Sequence, residues 1–238
     1  MSKGTILAAL LFATGCRDTA ASILLFEGSG TSSNDVAAVE HVLRNAHLAY
    51  ATANSRQLGA MSESTLRAFR LLIVPGGNFV RIGTALSPAA AAHVRNAVHG
   101  GLNYLGICAG AFFAGDSPYN GLNLTSGVRF PFYAAEARGL RKSVVEVVVA
   151  GSSPVELYWE DGPQLAGWGG VVARYPDGTP AVTQGRFGDG WVTLLGVHPE
   201  APDGWRRGLS FRTSGDAGRA YAATLINAAL SGAPLQHY

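Results

Sequence analysis

Cys108 is the residue with the sharpest chemical setting, held between small neighbours in Gly106-Ile107-Cys108-Ala109-Gly110. Such flanks permit a strained turn from a strand into a helix, which lifts the sulfur above a sheet. The start of that helix favours a thiolate and offers backbone N–H groups to an oxyanion. His198-Pro199-Glu200 follows the apolar run Val192 to Val197. His198 can take the thiol proton and Glu200 can orient the imidazole, which makes Cys108, His198 and Glu200 the candidate catalytic residues. Pro75-Gly76-Gly77 follows another apolar run, Leu71 to Val74. There the glycine pair exposes N–H groups near Gly76, Gly77 and Ala109 as an oxyanion hole, or forms only a type II turn. Each feature taken alone has a plainer reading, since a lone cysteine is commonly an inert core residue. Together they fill the nucleophile, base and orienting roles from the ends of strands far apart in the chain.

The elements that must position these residues follow from periodicity. Ser22 to Phe26 is a short apolar strand that ends in the Gly/Ser-rich stretch Glu27 to Asp35. Val36, Val39, Val42, Leu43 and Ala46 then recur at helical spacing, which predicts a helix over 36–49 capped by Asp35. A short helix is expected at 62–69 and a strand at 71–74. An alanine-rich helix over 88–99 is stopped by Gly100-Gly101 and leads into a strand over 102–107. A strand that ends in a small-residue corner and turns directly into a helix is the parallel-sheet pattern. The second half predicts strands near 144–149, 154–160, 170–175, 181–184 and 191–196, with Asp177-Gly178 and Asp189-Gly190 suited to hairpins. A helix over 218–230 closes the chain. The fold class is therefore α/β: a parallel sheet flanked by helices, with an added antiparallel section.

Composition bounds the function. The 238 residues carry a formal charge of only +2, and 14% are charged, against about 25% in an ordinary soluble domain. That leaves no basic surface for nucleic acid, and the Arg206-Arg207 pair is too small a patch to supply one. With 47% apolar residues the chain can bury one sizeable core. No cofactor is expected, since the chain has neither a GxxxxGK[ST] phosphate loop nor a GxGxxG after its first strand. No metal site is expected either: His41, His47, His93, His99 and His237 lack ligand spacing, and Cys108 has no second sulfur near it in sequence.

Residues 1–16, MSKGTILAALLFATGC, have the build of a signal peptide: Lys3, an apolar run from Ile6 to Ala13, then small residues before a cysteine. This resembles a bacterial lipoprotein signal, with 1–15 removed and Cys16 carrying lipid, which implies the periplasmic side of the cell envelope. The alternative is a buried first strand or helix of a cytoplasmic protein. With Cys16 acylated, Cys108 is a free thiol in an oxidising compartment, where it needs burial or a function.

IVPGG at 73–77, GICAGA at 106–111 and GVHPE at 196–200 resemble, in order and spacing, the class I glutamine amidotransferase-like superfamily. With EGSGTS at 27–32 and WEDGP at 159–163, the chain more closely resembles the N-terminal domain of biotin–protein ligases and its stand-alone bacterial relatives. The resemblance covers roughly 22–210 and implies a single domain over 16–238, a flavodoxin-like sheet, and a triad on Cys108, His198 and Glu200. It implies no established reaction, and neither glutamine-driven biosynthesis nor biotin transfer is expected. By the same resemblance the loop with Tyr158, Trp159 and Glu160 approaches Cys108 and shapes the substrate. Ser29, Thr31, Ser32 and Ser33 follow the first strand, at the sheet edge where ligands collect, and are further candidates for binding a polar group or an anion, or form only a polar loop. The expected partner is a small-molecule or peptide substrate, with no protein partner and no membrane contact beyond a lipid on Cys16. Three functions fit: a thiol hydrolase acting on amides or peptides, a non-catalytic ligand-binding module of the envelope, and a redox-responsive thiol protein.

Overall fold

The computed structural model describes residues 21–133 and 141–238. The expected signal segment and Cys16 lie outside the described residues. The first half alternates strands and helices: β1 (Ile23–Phe26), α1 (Ser33–Asn45), β2 (Tyr50–Ala53), α2 (Ser55–Ala60), α3 (Glu63–Leu66), β3 (Leu71–Val74), α4 (Phe79–Thr84), α5 (Pro88–His99), β4 (Asn103–Ile107) and α6 (Ala109–Ala114). The second half is mostly strands: β5 (Lys142–Val149), β6 (Val155–Glu160), β7 (Gly170–Arg174), β8 (Pro180–Phe187) and β9 (Gly190–Leu195), then α7 (Asp203–Arg206) and α8 (Gly215–Ser231).

All nine strands form one sheet in the order β2-β1-β3-β4-β9-β8-β7-β5-β6. The run from β2 to β9 is parallel, and every pair from β9 to β6 is antiparallel. The flavodoxin-like order expected from the sequence is thus present, with β9 in its fifth place. The antiparallel section is inserted between β4 and β9, which are neighbours in the sheet and distant in the chain. Ile107 pairs with Leu195 at the carboxyl end of that ladder.

The parallel strands ILLF and LLIV are apolar throughout because helices cover both of their faces. Side chains alternate, so Ile23, Leu25, Leu71 and Ile73 face one core with α1 and α8. Leu24, Phe26, Leu72 and Val74 face a second core, built against residues of α2 to α6. The start of α1 differs from expectation. α1 opens at Ser33, with the Ser32 hydroxyl accepting from Asp35 N at 3.3 Å, so Asp35 sits in the first turn and is not the cap. β2, α2 and α4 stand where the periodicity predicts no element. Among the described residues no helix is long and apolar enough to cross a membrane.

Candidate active site

Cys108 stands one residue beyond β4 and caps α6, with φ +49° and ψ −103°. That is an uncommon conformation for a residue with a side chain, of the kind found where a turn displays a functional group. The flanking glycines make it possible. A Cβ at Gly106 would come within 2.6 Å of the Gly110 backbone, and one at Gly110 would collide with the Val74 carbonyl oxygen. The strand-to-helix corner therefore closes only with both positions bare. Cys108 N donates to Leu195 O at 2.8 Å, which ties the corner to β9.

His198 lies three residues beyond β9, on the loop held by its own N–H donating to Tyr158 O of β6 at 2.8 Å. Its Nδ1 lies 2.8 Å from Glu200 Oε1, and it borders the same cavity as Cys108. With Nδ1 engaged by Glu200, Nε2 is the nitrogen left for a second partner. Both His198 and Glu200 are buried, at 4% and 1% exposure. Burial alone would lower the imidazole, yet the charges of Glu200 and Cys108 outweigh it and hold His198 well above its usual range. Burial raises the Glu200 carboxyl; His198 opposes that shift, and Asp35 adds to it. The Cys108 Sγ has an acceptor in Glu160 O at 3.6 Å.

Asp35 is the residue that sequence reasoning passed over. Its Oδ1 lies 3.4 Å from His198 Nδ1, on a nearly buried side chain. The ligand atoms of Asp35, His198 and Glu200 all fall within 4.8 Å of one another, a spacing a cation can also span. The 2.8 Å separation of Nδ1 and Glu200 is the length of a hydrogen bond.

A cavity of about 660 Å³ opens over the thiol, lined by Gly77, Cys108, Ala109, Tyr158, Glu160 and His198 among others. One wall is aromatic: Phe112 stacks on Phe79 at 4.7 Å and meets Phe132 at 4.8 Å. Across from it Trp205 of α7 packs on Tyr158 and His198 at 5.6 and 5.8 Å. The Tyr158 hydroxyl donates to Glu160, and burial followed by Glu160 pushes its pKa upward.

The expected site residues divide by place. Ser32 N donates to Gly76 O and Asn78 N to Gly30 O, a bridge that does not use the Gly77 N–H. Gly77 and Ala109 border the cavity, whereas Gly76 is buried behind it, against Asp35 and His198. Tyr158 and Glu160 face the cavity, but Trp159 between them does not: strand alternation sends it into the opposite core, fully buried against Tyr133. Ser29 and Thr31 also stay outside the lining. The Ser29 N–H is spent on Ser55 Oγ and the Thr31 hydroxyl on Gly28 O. Of that segment Ser32 does border the cavity, as does Asn34, whereas Ser33 does not.

This sheet order, with a cysteine corner after β4, defines a class I glutamine amidotransferase-like fold. A solved glutamine amidotransferase superposes with a TM-score of 0.60 at 20% identity, covering 89% of this chain and 99% of its own. PurLQS from Thermotoga maritima gives 0.57 at 15% identity, covering 86% and 97%. Cytoplasmic protein STM3548 from Salmonella typhimurium gives 0.55 at 11% identity, covering 87% and 98%. No curated protein matches the chain. Residues 21–139 match the family described as biotin–protein ligase, N terminal, and the chain belongs to that family.

Proposed function

We propose that this chain is a cysteine-dependent amide or peptide hydrolase. His198 Nε2 takes the Cys108 proton, and the sulfur attacks a substrate carbonyl. The Gly77 and Ala109 N–H groups receive the oxyanion. The intermediate collapses, the amine leaves with the proton held by His198, and a thioester remains. Water adds to the thioester with His198 again as base, which releases the acid and restores the thiol. Glu200 keeps the imidazole in the required tautomer throughout. What supports this reading is His198, buried and bonded through Nδ1 to Glu200 Oε1 at 2.8 Å, bordering the same cavity as Cys108. The envelope location and the lipid on Cys16 belong to the same proposal, and loss of membrane fractionation in Cys16→Ser is their test.

The chemistry is tested by trapping the acyl-enzyme. Activated esters and anilides of varied acyl groups are mixed with the full chain, and the intact mass is read during turnover. An adduct on Cys108 that accumulates and then clears is the expected result. Non-covalent binding of the same compounds, with no adduct in any variant, would instead mark a ligand-binding module.

A further inference from the structure

Two carboxylates approach one nitrogen of His198, and they differ in access. Glu200 Oε1 lies 2.8 Å from Nδ1 on a residue that is sealed from solvent. Asp35 Oδ1 lies 3.4 Å from the same nitrogen, is buried, and has no hydrogen-bond partner among the described residues. Asp35 also borders the cavity beside Cys108, which Glu200 does not. The place is built for it. A Cβ on Gly76 would run into the Asp35 carboxyl and approach His198 Cε1 at 2.9 Å, so the bare glycine leaves the room both side chains occupy. α1 begins early enough, on its Ser32 cap, to free Asp35 from capping.

A buried carboxylate at a cavity wall acts through a low dielectric on whatever enters. The other charged groups bordering the cavity are placed differently. Lys142, Arg207 and Glu160 are exposed and act through solvent and salt. Arg141 is paired with Asp161 at 2.6 Å. Glu200 is nearer the imidazole but lies outside the cavity lining, so Asp35 is the buried carboxylate that an entering compound meets beside His198.

We propose that Asp35 is a specificity-determining residue of the thiol site. It turns away compounds carrying an anion beside the atom that Cys108 attacks, and leaves neutral or cationic amides as the substrate class. The assignment rests on the reading of Cys108 as a nucleophile, and it adds a charge filter to it.

The test uses two probes of nearly equal size, neutral iodoacetamide and anionic iodoacetate, at one pH and ionic strength. Alkylation of Cys108 in the full chain is followed by mass spectrometry in the wild type, Asp35→Asn, Asp35→Ser and Glu40→Gln. In each case the sulfur displaces iodide and forms a C–S bond, so the ratio of the two rates cancels any common change in thiol reactivity. The iodoacetate-to-iodoacetamide ratio is expected to rise about five- to tenfold in Asp35→Asn. Glu40→Gln removes the same charge from the outer side of α1 and should leave the ratio within about twofold. A ratio unchanged in both Asp35 variants, with Cys108 still labelled by both probes, would overturn the assignment. A wild-type iodoacetamide rate that is the same in His198→Ala would overturn the nucleophile reading itself, and the filter with it.

Discussion

The two halves of the sheet do different work. The parallel half ends its strands at the candidate site: β4 leads into Cys108, β3 into Gly76 and Gly77, and β1 into the segment that brings Asp35. The antiparallel half ends nowhere in particular, yet its outermost strand β6 folds back to hold His198 through Tyr158 and to supply Glu160 at the cavity. A parallel ladder gathers loops from successive crossovers at one edge. Hairpins instead extend a surface that can be laid over that edge. The parallel half therefore sets where the candidate site residues stand, and the antiparallel half supplies part of the cavity wall around them.

The largest effects should come from the corner that joins β4 to α6. Gly110→Ala places a methyl group on the Val74 carbonyl. It should cost about 3 kcal/mol or more, read by urea unfolding, because backbone must move. Gly178 has φ +84° in the β7–β8 turn but has open space around it. Gly178→Ala should cost only about 1 kcal/mol. Equal losses at the two sites would break the contrast between the halves.

A smaller effect is expected from pH. His198 is held above its usual range, so its pairing contributes fully below about pH 6.5, the unfolded value. That contribution is lost as pH rises through the higher folded-state value. Glu200, also raised, pushes the same way. The stability difference between wild type and His198→Asn should therefore shrink from pH 6 toward alkaline pH in parallel urea titrations. A difference that grows would contradict the ion pairing.

The smallest effect belongs to the antiparallel cover. Tyr158→Phe removes the hydroxyl donated to Glu160 and leaves the backbone bridge to His198 intact. Cys108 alkylation should change by about threefold or less, since one partly buried neutral-to-carboxylate hydrogen bond is lost. A change as large as that in His198→Ala would mean that the cover does more than shape access.

Much of this was legible in the chain. The apolar runs ending in PGG, CAG and HPE read directly as strand ends, because helices on both faces make core parallel strands uniformly apolar. The missed pieces have local causes. Tyr50–Ala53 is a half-buried edge strand whose residues alternate only weakly in polarity. α2 did carry a signal, the Asn54 and Gln57 capping box, in a helix too short to show periodicity. Trp159 was grouped with its neighbours by motif, whereas strand alternation separates it from Tyr158 and Glu160. Asp35 looked like a helix cap because Ser, Asn and Asp crowd the start of α1. Only the packing around Gly76 shows that its carboxyl turns to His198. Trp205 carried no periodic signal, since α7 is a single turn.

The central claim is that Cys108 and His198 act as one unit. It is tested most directly by the rate of iodoacetamide alkylation at Cys108, measured from pH 5 to 9 in the wild type, His198→Ala and Glu200→Gln. Loss of the imidazole should slow the reaction at pH 7 by about a hundredfold, the scale of a positioned base, and Glu200→Gln should slow it less. Rates that coincide in all three proteins across the range would show an isolated thiol and contradict the account.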